Sequence, residues 1–137
     1  MESNEAKAIK HFTDLRVWQK SHDLFVLVYR AVEDMPSTTN AAVIIEQVLK
    51  STSSISVNIA EGFNSRWRRK YIKHLDQAQC SISQTEDLLH KLIDCSCLDQ
   101  KTVTPWFEAC LEIGRMLGSL IRKLDERMIT KPQLAST

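Results

Sequence analysis

The densest cluster of basic side chains in this sequence spans eight residues. Its five cations are Arg66, Arg68, Arg69, Lys70 and Lys73. Two aromatic residues, Trp67 and Tyr71, are interleaved with them. Segments of this composition are typical of nucleic-acid-binding proteins, because cations contact phosphates and exposed rings stack on bases.

The spacing of this segment separates the cations from the aromatic residues. On a helix that begins near Ser65, Arg66, Arg69, Lys70 and Lys73 share one face at i, i+3, i+4 and i+7. The apolar residues of the opposite face would point inward: Trp67, Tyr71 and Leu75. We therefore interpret the two aromatic rings as core, since stacking platforms need exposed rings. The basic face is a candidate phosphate-binding surface, and a solvated face without a ligand is the alternative.

Other residue types that could carry chemistry do not form a recognisable site. The four cysteines, Cys80, Cys95, Cys97 and Cys110, contain one C-x-C pair, whereas zinc sites typically use two pairs with longer spacing. None of the four histidines has a paired-ligand spacing, and His22 lies on an apolar stripe that is typical of a core histidine. Without a nucleophile motif or a glycine-rich phosphate loop, we expect no catalytic residue, no cofactor and no metal.

Glu61 is a separate case because it falls on or beside the apolar side of a predicted helix. A carboxylate at such a position is normally paired or used as a cap. We expect a structural ion pair or cap, with Arg66 and Arg115 as candidate partners.

The composition is that of one globular domain. The chain has 137 residues, of which 43% are hydrophobic and 26% charged, with a formal net charge of +1. One core is sufficient at this length, and no apolar run approaches a bilayer span. The first residues lack the pattern of a secretory signal, so we expect a soluble cytoplasmic protein with free thiols and no membrane contact. An anionic polymer would have to bind a local patch, because the global charge is nearly zero.

Scarce glycine and proline, three of each, and four amphipathic stretches predict an all-α chain. The first helix carries an apolar stripe at 3-4-3-4-3 spacing and ends before Asp34, ahead of Pro36. Its members are Leu15, Trp18, His22, Phe25, Tyr29 and Val32. The second helix runs up to Gly62, which suits the left-handed position after a helix. The third starts near Asn64 and extends for about thirty residues, or ~45 Å. The fourth is predicted to open at Thr104, with Pro105 in its first turn.

Four long helices with short connections predict an antiparallel up-down four-helix bundle over residues 12–130, with flexible tails at 1–11 and 131–137. Two of the helices have more than one apolar seam. The first offers Val17, Leu24 and Val28 beside the aromatic stripe, and the fourth offers Phe107 and Leu111 beside a second seam. Surplus apolar faces favour self-association, although a wide core face would give the same pattern.

Three sequence blocks are distinctive: LRVWQK at residues 15–20, NIAEGF at residues 58–63 and GRML at residues 114–117. Together they resemble the family of four-helix-bundle proteins encoded within intervening sequences of bacterial 23S rRNA genes. The resemblance covers about residues 12–127. It implies a small non-enzymatic bundle that assembles into a ring-shaped homopentamer. The chain is also similar, more distantly, to accessory proteins of diversity-generating retroelements, which bind nucleic acid and a reverse transcriptase.

The sequence departs from the family pattern at a few positions. Ser56 replaces a common proline. Leu49 with Lys50 replaces a usual Arg-Arg pair, and the loss of one of those arginines weakens the carry-over of nucleic-acid contacts to that helix. Two classes of function remain. The first is weak, sequence-tolerant binding of RNA or DNA by the basic face of an oligomer. The second is a scaffold that binds a protein partner such as a reverse transcriptase, or a structural ring without a nucleic-acid ligand.

Overall fold

The computed structural model describes residues 8–35 and 39–130. Within these ranges the chain forms four α-helices and no strand, as the sequence predicts: α1 (Arg16–Val32), α2 (Thr39–Phe63), α3 (Arg68–Asp94) and α4 (Gln100–Thr130). A short 3-10 turn, Phe12–Asp14, precedes α1. Except for residues 8–11, the predicted tails lie outside the described residues, as does Pro36 of the predicted turn after α1.

The helices form a closed cycle of neighbours in which α2 packs on α1 and α3, and α4 packs on α3 and α1. Side chains across α2 and α3 show that these helices run in opposite directions. Ser51 Oγ lies 2.8 Å from Thr85 Oγ1. Asn58, which lies about two turns further along α2, contacts His74 near the start of α3. The basic segment therefore lies at the end of the bundle that holds the start of α1, the end of α2, the start of α3 and the end of α4.

The core is apolar along the bundle axis and is anchored by Trp106, which is 2% exposed. In α1 the buried stripe consists of Val17, Ser21, Leu24, Val28 and Val32. His22 is exposed and stacks on Trp18 with the ring centroids 4.8 Å apart, so the prediction of a core histidine is wrong. The buried stripe is centred one position away from the predicted one, because Ser21 faces the core in place of His22. The Ser21 hydroxyl donates a hydrogen bond to Val17 O.

The start of α4 also differs from the prediction. The helix begins at Gln100, and Asp99 Oδ1 accepts a hydrogen bond from Thr102 N at 2.9 Å. Thr104 lies inside the helix and donates to Gln100 O at 2.8 Å, so it is not the N-cap. Pro105 is the sixth residue of the helix and lies on an exposed position. The sequence contains the actual capping signal in Asp99, five residues before the predicted one.

We expect Asp99→Ala to lower the melting temperature, because it removes the acceptor for the first turn of α4. The hydrogen bonds from Thr102 hold the pKa of Asp99 below its ordinary value of 3.8. The stabilisation is therefore present above that value and is lost as the pH falls through the lowered pKa. Thermal melts at pH 7 and at low pH test this, because the difference in melting temperature between the parent and Asp99→Ala should become smaller in acid. Asp99→Asn should retain part of the stabilisation, since its side-chain oxygen can still accept the hydrogen bond.

Gly62 lies within the last turn of α2 rather than in a left-handed position after it. Its role is close packing against α3. A Cβ at this position would lie 2.9 Å from Tyr71 Cδ1, 3.0 Å from His74 Cβ and 3.2 Å from Tyr71 O. The glycine thus allows the end of α2 to approach the first turns of α3, the helix that carries most of the basic segment.

Candidate nucleic-acid interface

The turn between α2 and α3 is fixed by hydrogen bonds to the last turn of α2. Ser65 N donates to Gly62 O at 2.9 Å, and Ser65 Oγ donates to Glu61 O at 3.0 Å. Trp67 is the N-cap residue of α3, with an extended backbone (φ −110°, ψ 137°). The predicted continuous helix from Ser65 is therefore wrong, because the extended Trp67 places Arg66 in the turn and the first helical residue is Arg68.

The five predicted cations nevertheless gather at this end of the bundle. Arg66 is exposed in the turn, and Arg69, Lys70 and Lys73 are exposed on the first two turns of α3. Arg68 differs from the others because it is partly buried and its Nη1 is enclosed without a hydrogen-bond partner among the described residues. The exposed basic face therefore comprises four cations on two elements rather than one helical stripe.

The two aromatic residues of the segment have different environments. Tyr71 packs at the edge of the core and against Phe63, and burial raises its pKa. Trp67 is 49% exposed, so its interpretation as a core residue is wrong. Helical spacing does not apply to it because it precedes the helix. The Arg66 guanidinium carbon lies 6.0 Å from the centroid of the Trp67 ring, which is within the range of a cation–π contact.

Glu61 pairs with neither Arg66 nor Arg115, in contrast to the sequence prediction. Its Oε1 lies 3.7 Å from His74 Nδ1, and Asn58 Oδ1 lies 3.4 Å from the same nitrogen. The Asn58 amide in turn donates to Ser54 O at 2.9 Å. The partner is His74 because the two helices are antiparallel and the second turn of α3 lies opposite the end of α2. The NIAEG block therefore joins α2 to α3 beside the basic segment.

A polar cleft of about 650 Å³ opens at this junction. It is lined by Glu61 at the end of α2, residues 64–67 of the turn, and Lys70 and His74 of α3. One carboxylate, two cations and a half-exposed indole ring thus line a single concavity. Sequence reasoning identified the cations but missed the cleft, although Asn64 and Ser65, two turn-forming residues after a glycine, indicated a break before Trp67.

The distribution of charge along the bundle is strongly asymmetric. The half that contains the cleft, residues 8–24, 51–81 and 115–130, holds twelve Lys and Arg against six Asp and Glu. The opposite half, residues 25–35, 39–50 and 82–114, holds four Lys and Arg against nine Asp and Glu. A chain with a net charge of +1 therefore has one positive and one negative end, and the local field at the cleft favours anions.

The remaining residue types that could bind metal are dispersed over the described part of the chain. All four cysteines are free, and no group of three or more metal-ligating side chains occurs within residues 8–35 and 39–130. Burial, with a smaller contribution from Glu86, raises the pKa of Cys110 to about 12. Ser96 adopts a left-handed conformation (φ 61°) between Cys95 and Cys97, so the C-x-C pair belongs to the turn that ends α3.

Part of the apolar surface is left uncovered by the four helices. An apolar cleft of about 640 Å³ lies between the end of α1 and the start of α2, where Phe25, Ile45 and Leu49 line it. Other large apolar side chains are about half exposed: Leu27, Tyr29, Val43, Val57 and Leu111. None of the described helices combines the length and hydrophobicity that crossing a membrane requires.

Comparison with known proteins identified a sequence family and a similar solved structure. The sequence model of the family described as "23S rRNA-intervening sequence protein" matches residues 13–119. The fold is similar to the crystal structure of a protein of unknown function from the S23 ribosomal protein family of Bacteroides thetaiotaomicron VPI-5482. That similarity has a TM-score of 0.68 at 25% sequence identity and covers 77% of this chain and 97% of the other. No functionally curated protein showed significant similarity.

Proposed function

Because the chain belongs to the 23S rRNA-intervening sequence protein family, we propose that it is a non-enzymatic homo-oligomer that binds RNA or DNA through the positive end of its bundle. The observation that carries this proposal is the group of exposed cations at the α2–α3 turn: Arg66, Arg69, Lys70 and Lys73. They lie in the half of the bundle with an excess of positive charge. Phosphate contacts of this kind position a nucleic acid without reading its sequence.

Binding is expected to be weak for one chain and stronger for the assembly. A single chain offers four exposed cations and partly buried Arg68 in a small area. A ring repeats that area, so a long nucleic acid contacts several copies at once, and avidity raises the affinity without a new type of contact. This arrangement requires no catalytic residue, cofactor or metal.

The binding experiment is a titration of a fluorescently labelled RNA hairpin, followed by anisotropy at several salt concentrations. Phosphate contacts release counterions, so affinity should fall steeply between roughly 50 and 200 mM salt. A DNA duplex of equal length should bind similarly, because the contacts carry no sequence information. Absence of binding at the lowest salt, or an affinity that does not change with salt, would contradict the proposal.

The proposed assembly is a closed ring of five copies. It is supported by the half-exposed apolar side chains on α1, α2 and α4 and by the apolar cleft between α1 and α2, which a neighbouring copy would cover. A head-to-tail interface that closes into a ring leaves no such face exposed. Light scattering after size exclusion should give about five times the chain mass of 15.7 kDa. The mass of a single chain at micromolar concentration would contradict the ring.

A further inference from the structure

We infer that the polar cleft at the α2–α3 turn is a subsite for one unpaired guanine nucleotide, with the base stacked on Trp67 and paired with Glu61. The inference rests on the proposed nucleic-acid binding and adds a preference for single strands to it. The cleft volume of about 650 Å³ lies within the ~300–1,000 Å³ range of small-ligand sites.

Trp67 has the exposure that stacking requires. It is 49% exposed, whereas Trp106 is 2% exposed and Trp18 is packed against the core. Its position as N-cap of α3, with an extended backbone and no side-chain cap, separates the ring from the apolar face of the helix. Arg66 lies 6.0 Å from the ring centroid. An indole ring and a guanidinium group beside each other form a combination on which bases stack in single-strand binding sites.

The cations place the phosphates next to that ring. Lys70 lines the same cleft as Trp67, and Lys73 follows it one turn later on α3. A base stacked on Trp67 would therefore have its own and the next phosphate beside exposed ammonium groups. A duplex can contact the same cations, but its bases are paired and cannot enter the cleft.

Glu61 contacts His74 but keeps 58% of its side chain exposed, so it retains acceptor positions that phosphate binding does not use. It is a carboxylate in the wall of a basic cleft, where it repels phosphate, and its Oε1 lies 3.7 Å from His74 Nδ1. An ionised carboxylate only accepts hydrogen bonds. Guanine presents two adjacent donors, N1–H and the N2 amino group, on the edge that single-stranded recognition uses. Adenine and cytosine present one amino group beside an accepting ring nitrogen, and uracil presents one N–H between two carbonyls, so guanine fits best.

The test compares short oligouridine strands that carry one central guanosine, inosine or uridine, together with an RNA hairpin of similar charge whose stem is closed by a non-nucleotide linker, so that it has no unpaired base. Inosine lacks only the N2 amino group. We expect the guanosine strand to bind roughly tenfold more tightly than the uridine strand, with inosine between them. Trp67→Ala should lower the affinity for the guanosine strand by roughly tenfold and leave the hairpin unchanged, whereas Trp67→Phe should retain part of the affinity. Glu61→Gln should remove the preference for guanosine over inosine.

The outcomes separate this subsite from the general proposal. If the parent protein binds neither strands nor hairpin, both proposals are wrong. If it binds both and Trp67→Ala binds the guanosine strand as tightly as the parent, the stacking subsite is wrong and phosphate binding stands. Equal affinities for guanosine and uridine strands would overturn the assignment of Glu61. Deoxyribose versions of the same strands show whether the subsite distinguishes RNA from DNA, and circular dichroism verifies that each variant is folded.

Discussion

Replacing Arg66, Arg69, Lys70 and Lys73 together by glutamine is expected to lower the affinity for nucleic acid on the order of a hundred-fold at low salt. All four side chains are exposed, so the fold and the assembly should be retained. Each lost phosphate contact also reduces the slope of log affinity against log salt by about 0.9 for duplex DNA, so the remaining binding should depend only weakly on salt. Arg68 is left unchanged because its Nη1 is buried.

The opposite half of the described chain offers a matched control. It contains four Lys and Arg: Arg30, Lys50, Lys91 and Lys101. All four are exposed, and their replacement by glutamine changes the net charge by the same amount. Light scattering verifies that this control still assembles, because Lys50 lines the apolar cleft that a neighbouring copy would cover. If the positive end is the binding surface, this control should bind nucleic acid nearly as tightly as the parent. Equal losses of nucleic-acid affinity in the two variants would indicate a response to net charge alone. No loss of affinity in the variant at the positive end would mean that the basic face is only solvated.

Gly62→Val is expected to lower the free energy of unfolding by about 3 kcal/mol, since overpacking of a tight helix contact typically costs this much. The new Cβ would lie 2.9 Å from the Tyr71 ring, 3.0 Å from His74 Cβ and 3.2 Å from a backbone oxygen. His74 Cβ and the backbone oxygen of Tyr71 move only if α2 and α3 separate. Valine has only a slightly higher helix propensity than glycine, so this gain does not offset the steric clash.

Gly118→Ala provides the contrasting case for that stability measurement. A Cβ at Gly118 would have its nearest contact at 3.5 Å, with the end of the flexible Arg122 side chain. Alanine there should raise the free energy of unfolding by roughly 0.5–1 kcal/mol through backbone entropy. Chemical denaturation of both variants tests the pair, and a Gly62→Val protein as stable as the parent would show that the close approach is not required.

Much of the fold follows from periodic apolar spacing. The four helices and their order are confirmed, because each has a stripe long enough to indicate its type. The ends were less predictable. Thr104 and Pro105 form a typical helix start, yet Asp99 caps the helix five residues earlier, and a sequence pattern alone does not decide which of two acceptable caps is used. Gly62 could equally end a helix or allow a close contact, and only the position of α3 distinguishes the two roles.

The candidate site could be predicted in its residue types but not in its arrangement. The basic segment stands out in the sequence and its exposure is explained by its position at the end of the bundle. The exposure of Trp67 could not be predicted, because it depends on whether the helix begins before or after that residue. The pairing of Glu61 with His74 was missed for a related reason: a contact between two helices depends on their register, which local spacing does not contain.

Hydrogen–deuterium exchange, with and without an excess of an RNA hairpin, tests most directly whether nucleic acid binds at the positive end of the bundle. The amides at the start of α3 lack acceptors within the helix, so contact with a ligand should slow their exchange measurably. If nucleic acid binds at the positive end, exchange should be slower in residues 62–74 and unchanged in residues 92–102 at the opposite end. Binding at the positive end would be contradicted by slower exchange confined to residues 92–102. It would also be contradicted if the protein were saturated with RNA and exchange in residues 62–74 did not change.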